Sequence, residues 1–455
     1  MALANINRFI QLFSQAFREM GIDVPMHEVE QLAMFVHSSM DQKWRAYHTS
    51  SHAFDMCENM NPRQVLVGLF HDVVYYQLDN GFPPRAAKLL EPVVRIRNDT
   101  LILRDIDPED SMLWLCANIF GFLPGQTLPV FCGMNEFLSA VVAVRLLQPF
   151  VSARDMIAIV SGIEATIAFR GDDSHGRGMA DVLAERVREQ SRLCLEGSSI
   201  EEIDSFVDEV ARDAVLIANR DVGGFSEPNT GKFLAATWLL IEESNAPLAA
   251  VGIYSMQDYR RALTRMERFL GSLNPETVFH RYKHDPDDAT FAGLQAAARK
   301  NITFACDYLS AKIVSIAIIE ALALETGGNC PVSMFLGDIR NLKCKPDRVE
   351  DFLPSCTGKA IVNPEVLGVL EKGRATESSN DLTASPLTAY IYRHLGADGV
   401  NETLSQAKRM FDEELAPREF LQRLDHGLVR IIIHACAQIA ISRRELLQEF
   451  EETLN

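Results

Sequence analysis

In the stretch VLVGLFHDVVYY, residues 65–76, His71 and Asp72 stand side by side in a run that is otherwise apolar. A carboxylate in such surroundings needs a counter-charge, because an unpaired buried charge is costly enough that the group protonates or finds a partner. Two readings meet that need. One is a hydrogen-bonded pair that fixes two helices together; the other is a cation shared with ligands from elsewhere in the chain. Upstream, WRAYHTSSHAFDM (residues 44–56) supplies His48 and His52, and Thr49 is placed to cap a helix whose first turn carries His52. Asn61-Pro62 then opens a further helix, so a tight turn can bring His52 against His71 and Asp72. Downstream, DAVLIANRDVGGF (residues 213–225) ends an apolar-faced helix with Asp221 ahead of a Gly-Gly turn. His52, His71, Asp72 and Asp221 thus make a set of two imidazoles and two carboxylates. Mixed nitrogen and oxygen ligands suit a divalent metal ion: Zn²⁺, Fe²⁺, Mn²⁺ or Ni²⁺ first, with Mg²⁺ or Mn²⁺ at a second, oxygen-rich position. Four protein ligands on a six-coordinate ion leave places for water and substrate, and such an ion brings the pKa of bound water to about 7.

A second group of residues surrounds this set. SGIEATIAFRGDDSH (residues 161–175) leaves an apolar helix for a polar turn, where Arg170 can grip a phosphate and His175 can line a substrate pocket; an ordinary solvated helix end reads the same way. Glu164 lies in the apolar part, suited to supporting a metal site from behind. HRYKHD (residues 280–285) reads as a solvated helix terminus, and His434 in RIIIHACAQIAI as a core histidine.

The elements that must position these residues are helices. Apolar positions recur every three or four residues over 6–20, 28–40, 62–77, 136–148, 153–169, 179–194, 200–219, 231–243, 256–271, 290–324, 401–413 and 417–450. Asn61-Pro62 and the Ser199…Glu202 capping box mark helix starts. The class is therefore all-α. Two stretches break the pattern: 79–134, an insertion rich in Pro and Gly with the acidic run DIDPED, and 325–386, rich in Gly, Pro, Ser and Asn. These divide the chain into a helical domain over 1–325 that carries the site, with its insertion at 79–134, and a helical region over 326–455 packed on it.

Composition narrows the partners. The 455 residues carry a net charge of −18, which argues against a nucleic-acid polymer or an anionic membrane surface, though not against a small nucleotide on a metal. The first twenty residues read as an amphipathic helix and not as a signal peptide. The longest greasy run, Ile313–Leu324, is interrupted by Glu320 and is too short to span a bilayer. Nine cysteines without C-x-x-C spacing suit reduced thiols and a cytoplasmic location; Cys330, Cys344 and Cys356 share one stretch, but their spacing matches no standard zinc site. The greasy face of IIIHACAQIAI is covered either within the chain or by a second copy in a homodimer.

These blocks together resemble the HD-domain metal-dependent phosphohydrolases, whose ligands follow the order H…HD…D. Tyr47-His48-Thr49-Ser50-Ser51-His52-Ala53-Phe54-Asp55 is similar to the Y-H-x-x-x-H-A-x-D motif of the class I cyclic-nucleotide phosphodiesterases. His71-Asp72-Val73-Val74-Tyr75 and Asn135-Glu136-Phe137-Leu138-Ser139-Ala140 resemble the H-D-x-x-Y and N-E-x-x-S-A blocks of small bacterial HD proteins. The resemblance covers about residues 40–225. It implies a phosphodiesterase-like helical bundle with a C-terminal extension, a metal on His52, His71, Asp72 and Asp221, and hydrolysis of a small phosphate ester, with a nucleotide or cyclic nucleotide favoured. It further implies that His48 protonates the leaving oxygen and that Glu136 is an acid beside the site. The chain departs from the cyclic-nucleotide enzymes in having Tyr75 where they carry a second histidine, and in lacking a match to their purine-clamping glutamine. An inactive nucleotide-binding sensor or assembly protein is the alternative that these departures favour.

Overall fold

Capping residues set the helix starts. Asn61 accepts from the Gln64 backbone while Gln64 reaches back to the Asn61 N–H, and Ser199 with Glu202 and Ser255 with Asp258 close the same reciprocal box. The computed structural model describes residues 4–98, 100–338, 347–356, 360–376 and 381–454. Among these residues the chain is all-α, with 65% helix and 3% strand.

The contacts divide the chain into two units. The first comprises Met1–Ser226 and Asn274–Ala298, the second Glu227–Leu273 and Arg299–Asn455. This differs from a division at residue 325, because 227–273 packs with the C-terminal part, a long-range choice that local periodicity does not carry.

The first unit holds α1 (Asn5–Glu19), α2 (Met26–Met40), α3 (Ser50–Cys57), α4 (Pro62–Phe70), α5 (Pro84–Leu90), α6 (Ser111–Phe120), α7 (Met134–Leu147), α8 (Ala153–Ala165), α9 (Met179–Cys194) and α10 (Ile200–Asp221). One antiparallel pair, β1 (Val94–Arg97) with β2 (Thr100–Leu103), sits in the 79–134 insertion and aligns Val94 with Leu103. The insertion therefore has its own elements: α5, the strand pair and α6. At the centre lie α4, α7 and α8. Every residue of α8 from Met156 to Ala165 is buried, and α8 packs against α4, α7, α9 and α10.

Where α8 crosses α4, a β-carbon on Gly162 would lie 2.5 Å from Val67 Cγ2. Neither helix can yield cheaply in so buried a core, so Gly162→Ala is expected to cost about 1–3 kcal/mol by overpacking, outweighing the helix propensity it gains. Thermal unfolding checks this: the midpoint should fall by several degrees.

Helix α4 ends at Phe70, not at 77 as the apolar run implies. Beyond it the backbone is captured by side chains: Ser139 Oγ accepts from the Val74 N–H at 3.1 Å and Asn135 Oδ1 from the Tyr76 N–H at 3.0 Å. These bonds stand in for helical ones, so the chain leaves the helix through turns with the Val74 and Tyr76 donors satisfied. Helix α8 likewise stops at Ala165, short of 169. The segment 280–285 is a turn closed by a Tyr282–Asp285 bridge, not a helix terminus, and His280 in it is half-buried.

The second unit holds α11 (Thr230–Glu243), α12 (Met256–Ser272), α14 (Ser333–Leu336), α15 (Pro364–Lys372), α16 (Pro386–Phe411), α17 (Pro417–Gln422), α18 (His426–Ile439) and α19 (Arg444–Glu452); α13 (Asp288–Glu325) starts in the first unit and continues into the second. α13 is long and apolar enough to cross a membrane by length and composition, and 83% of that stretch is buried. Its Glu320 is held by Arg260 at 3.1 Å. The expected helix over 417–450 is three helices, and the one over 401–413 is the end of α16, which kinks at Gly396 with φ 72°. The apolar face of α18 (Leu428, Val429, Ile432, Ile433, Cys436) is buried within the chain. His434 is not a core histidine: it lies on the exposed side, 2.8 Å from Glu451. Of the three cysteines sharing a stretch, Cys344 lies outside the described residues.

Candidate metal centre

Three local devices present the four candidate side chains. Thr49 takes the N-cap position of α3 with extended backbone, although its hydroxyl makes no capping bond, and this puts His52 in the first turn. His71 is the C-cap of α4, and its Nδ1 donates to the Gly68 carbonyl at 3.0 Å. That bond leaves the Nε2 of the neutral ring as a lone-pair donor, the form a metal needs. Gly68 also lets the helices approach, since a β-carbon there would come 3.1 Å from Met56 Cβ and Cys57 Sγ of α3. Asp221 is the last residue of α10, where the helix dipole disfavours a carboxylate and increases its need for a counter-charge. Arg220 fastens this helix end to α3, donating from Nε to the Asp55 carbonyl at 2.9 Å.

The four side chains converge. His52 Nε2 and His71 Nε2 face each other at 3.2 Å. His52 Nε2 is 3.1 Å from Asp221 Oδ1 and 3.6 Å from Asp72 Oδ2; His71 Nε2 is 3.0 Å from Asp72 Oδ2 and 3.7 Å from Asp221 Oδ1. Ligand atoms of His52, His71 and Asp72 all lie within 4.8 Å of one another. Ligands about 2.1 Å from one ion sit roughly 3.0–3.4 Å apart at neighbouring positions, so His52, His71 and Asp72 form a group that could hold one ion, while Asp221 approaches the two imidazoles at 3.1 and 3.7 Å. The chemistry fits as well: two acceptor oxygens and two ring nitrogens, one with its tautomer fixed, point at one spot.

Without an ion the four groups balance one another's charge, and a metal would have to displace a proton from the His71 ring. Burial alone would lower the pKa of His71, but the Asp72 and Asp221 carboxylates outweigh it and hold the imidazole well above its ordinary value. Burial would raise Asp72, yet His71, His48 and His52 hold it far below the usual carboxylate range, and Asp221 is drawn down to about 2 by its bonds to His52 and His71. This is a cluster that keeps both carboxylates ionised in a largely dry place, as cation ligands must be.

The flanking residues divide. The His48 ring packs against Tyr75 at 4.9 Å and lies 5.7 Å from the His52 ring, within the electrostatic reach of Asp72. Glu136, in the first turn of α7, is pushed up to about 7 by burial and by Asp72 and Asp221, with Arg170 pulling the other way. A carboxyl titrating there can hold or release a proton at neutral pH. Arg170 is engaged by the protein: Nη1 donates to Glu164 Oε1 at 2.6 Å, Nη2 to Glu164 Oε2 and to the Glu164 carbonyl, and Nε to the Ile167 carbonyl. Glu164, only 1% exposed, therefore anchors Arg170 instead of standing behind the metal ligands. His175 is exposed on a turn knit by Asp173 and Arg177, and no hydrogen bond or ring contact joins it to the four ligands.

Sequence reading missed Arg45. Its side chain is fully buried and forks onto Asp79, Nε to Oδ1 at 3.0 Å and Nη2 to Oδ2 at 2.7 Å, while Nη1 donates to the Asp72 carbonyl at 2.6 Å. It ties the backbone of a ligand to the start of the insertion. Asn135 and Ser139 hold the same segment from α7. The signal was present as spacing: an arginine two residues before Tyr47-His48, and a small polar pair four apart. Comparison with protein-family models, with curated proteins and with solved structures gave no match to this chain.

Proposed function

We propose that this chain is a metal-dependent phosphohydrolase of the HD type, acting on a small phosphate ester, with nucleotides or cyclic nucleotides favoured. One observation carries the reading: the His52 and His71 Nε2 atoms lie 3.2 Å apart, and each lies 3.0–3.7 Å from an oxygen of Asp72 and of Asp221. When bound, a divalent metal ion would supply a water acidic enough to lose its proton near pH 7 and would polarise the phosphoryl oxygen. The chain's own residues then divide the remaining work. His52, His71, Asp72 and Asp221 hold the ion. Glu136, titrating at about 7, takes up or returns a proton beside it. His48, packed on Tyr75 and within electrostatic reach of Asp72, is the group assigned to protonate the leaving oxygen. The net charge of −18 favours a small substrate over a polymer, and the reading places the protein in the cytoplasm.

The test is turnover. Purified protein supplied with Mn²⁺, Ni²⁺ or Mg²⁺ should hydrolyse at least one of a panel of phosphomonoesters, phosphodiesters, cyclic nucleotides and nucleoside triphosphates. Chelation should abolish the activity and re-addition of one ion should restore it. A silent panel with metal bound would favour the second reading, a sensor or assembly protein, for which Tyr75 in place of a second histidine is the specific support.

A further inference from the structure

We infer that His280 is a substrate-contacting residue, binding a neutral hydrogen-bonding group of the substrate, such as a sugar hydroxyl or base edge, at the far end of a polar arc that runs from the ligand cluster through Glu136 and Arg170. The inference rests on the phosphohydrolase reading and deepens it. In sequence, residues 274–298 lie between two stretches of the second unit, yet they pack with the first. The segment is pinned there at several points. Asn219, two residues before Asp221, clamps the His280 backbone twice, Oδ1 accepting from its N–H and Nδ2 donating to its carbonyl, both at 2.8 Å. Asp208 on α10 accepts from the Tyr282 hydroxyl at 2.8 Å and from Lys283 Nζ. On the other side, the Thr277 methyl comes within 3.7 Å of where a β-carbon would stand on Gly171, beside Arg170. The segment thus spans from the helix that ends in Asp221 to the loop that carries Arg170.

Against this fixed backbone, His280 Nε2 is buried and has no partner among the described residues. An unmet buried polar atom is costly, and native proteins leave few of them without a use. Burial and the nearby positive Arg170 hold the ring down at about 4, so it is neutral at physiological pH. Asp72, Asp221 and Arg170 all act electrostatically on Glu136, so the loop that the 274–298 segment packs against carries a charge that acts on both the ring and that carboxyl. A neutral imidazole adds no charge for a phosphate; it offers one donor or one acceptor, which suits an uncharged polar group on the rest of the molecule. Arg170, already engaged by Glu164 and Ile167, leaves that contact to His280.

The experiment compares two substrates of one ester class: the nucleotide that wild type turns over, and an aryl phosphate, p-nitrophenyl phosphate or its bis-ester, which lacks the sugar and base. In His280→Ala the ratio of kcat/KM for nucleotide over aryl ester should fall roughly tenfold, carried mainly by KM for the nucleotide. His280→Gln, which can still hydrogen-bond, should recover part of the ratio. Metal content and the unfolding midpoint, measured on both variants, report whether the fold and cluster are intact. A ratio unchanged within twofold in both intact variants would overturn the role of His280, with a water or a purely structural use in its place. Wild type that turns over neither substrate class would instead overturn the phosphohydrolase reading beneath it.

Discussion

Asp72→Ala is expected to lose the bound metal, from about one ion per chain to a small fraction, and with it turnover, by on the order of 10⁴ in kcat. His71→Ala should do the same. The reason lies in the spacing: Asp72 Oδ2 is 3.0 Å from His71 Nε2 and 3.6 Å from His52 Nε2, and the carboxylate is held ionised by its neighbours. Removing one of the four leaves two imidazoles and one carboxylate, too few to retain an ion through purification. The competing account is a buried ion-pair network that only ties α3, α4 and α10 together. That account predicts a loss of about 3–5 kcal/mol of stability on removing one partner, with no change in metal content because there is none to change. Metal analysis of wild type and Asp72→Ala, run beside thermal unfolding, separates the two.

The second large effect concerns Arg45. Arg45→Ala is expected to destabilise the first unit by about 3–5 kcal/mol, because it strands the Asp79 carboxylate in a place only 2% exposed. It should also weaken metal affinity by about 10–100-fold, since the Asp72 carbonyl loses the Nη1 donor that fixes the ligand's backbone. The two effects come apart in a double variant. Arg45→Met with Asp79→Leu removes both charges and should recover most of the stability. Metal affinity should stay weak, because nothing replaces the bond to Asp72. Recovery of both together would mean that Arg45 acts on stability alone.

These expectations draw on features of unequal legibility. Helix positions were readable because amphipathic periodicity and caps such as Asn61 and Ser199 are local. The meeting of four side chains was readable for a similar reason: ionisable residues interrupting apolar runs stand out, and each of His52, His71, Asp72 and Asp221 does so at or near a helix end. What the sequence hid depends on distant partners. α4 stops at Phe70 because Arg45, Asn135 and Ser139 hold the following backbone, and no property of 65–76 announces those partners. Arg170 looked free to bind phosphate because Glu164, six residues earlier, sits inside an apolar helix end and only the turn folds them together. His280 looked solvated among its charged neighbours; Asn219, far upstream, draws it in. Grouping 227–273 with 299–455 is another long-range outcome.

The central claim is that His52, His71, Asp72 and Asp221 share one ion, and an anomalous-scattering map of the crystallised protein tests it most directly. Protein expressed in medium supplemented with Zn, Fe, Mn and Ni should show one strong peak, at the absorption edge of one of these elements, about 2.0–2.3 Å from the two Nε2 atoms and one oxygen of each carboxylate. A map with no peak among the four side chains, the imidazoles instead hydrogen-bonded directly to the carboxylates, would contradict the account.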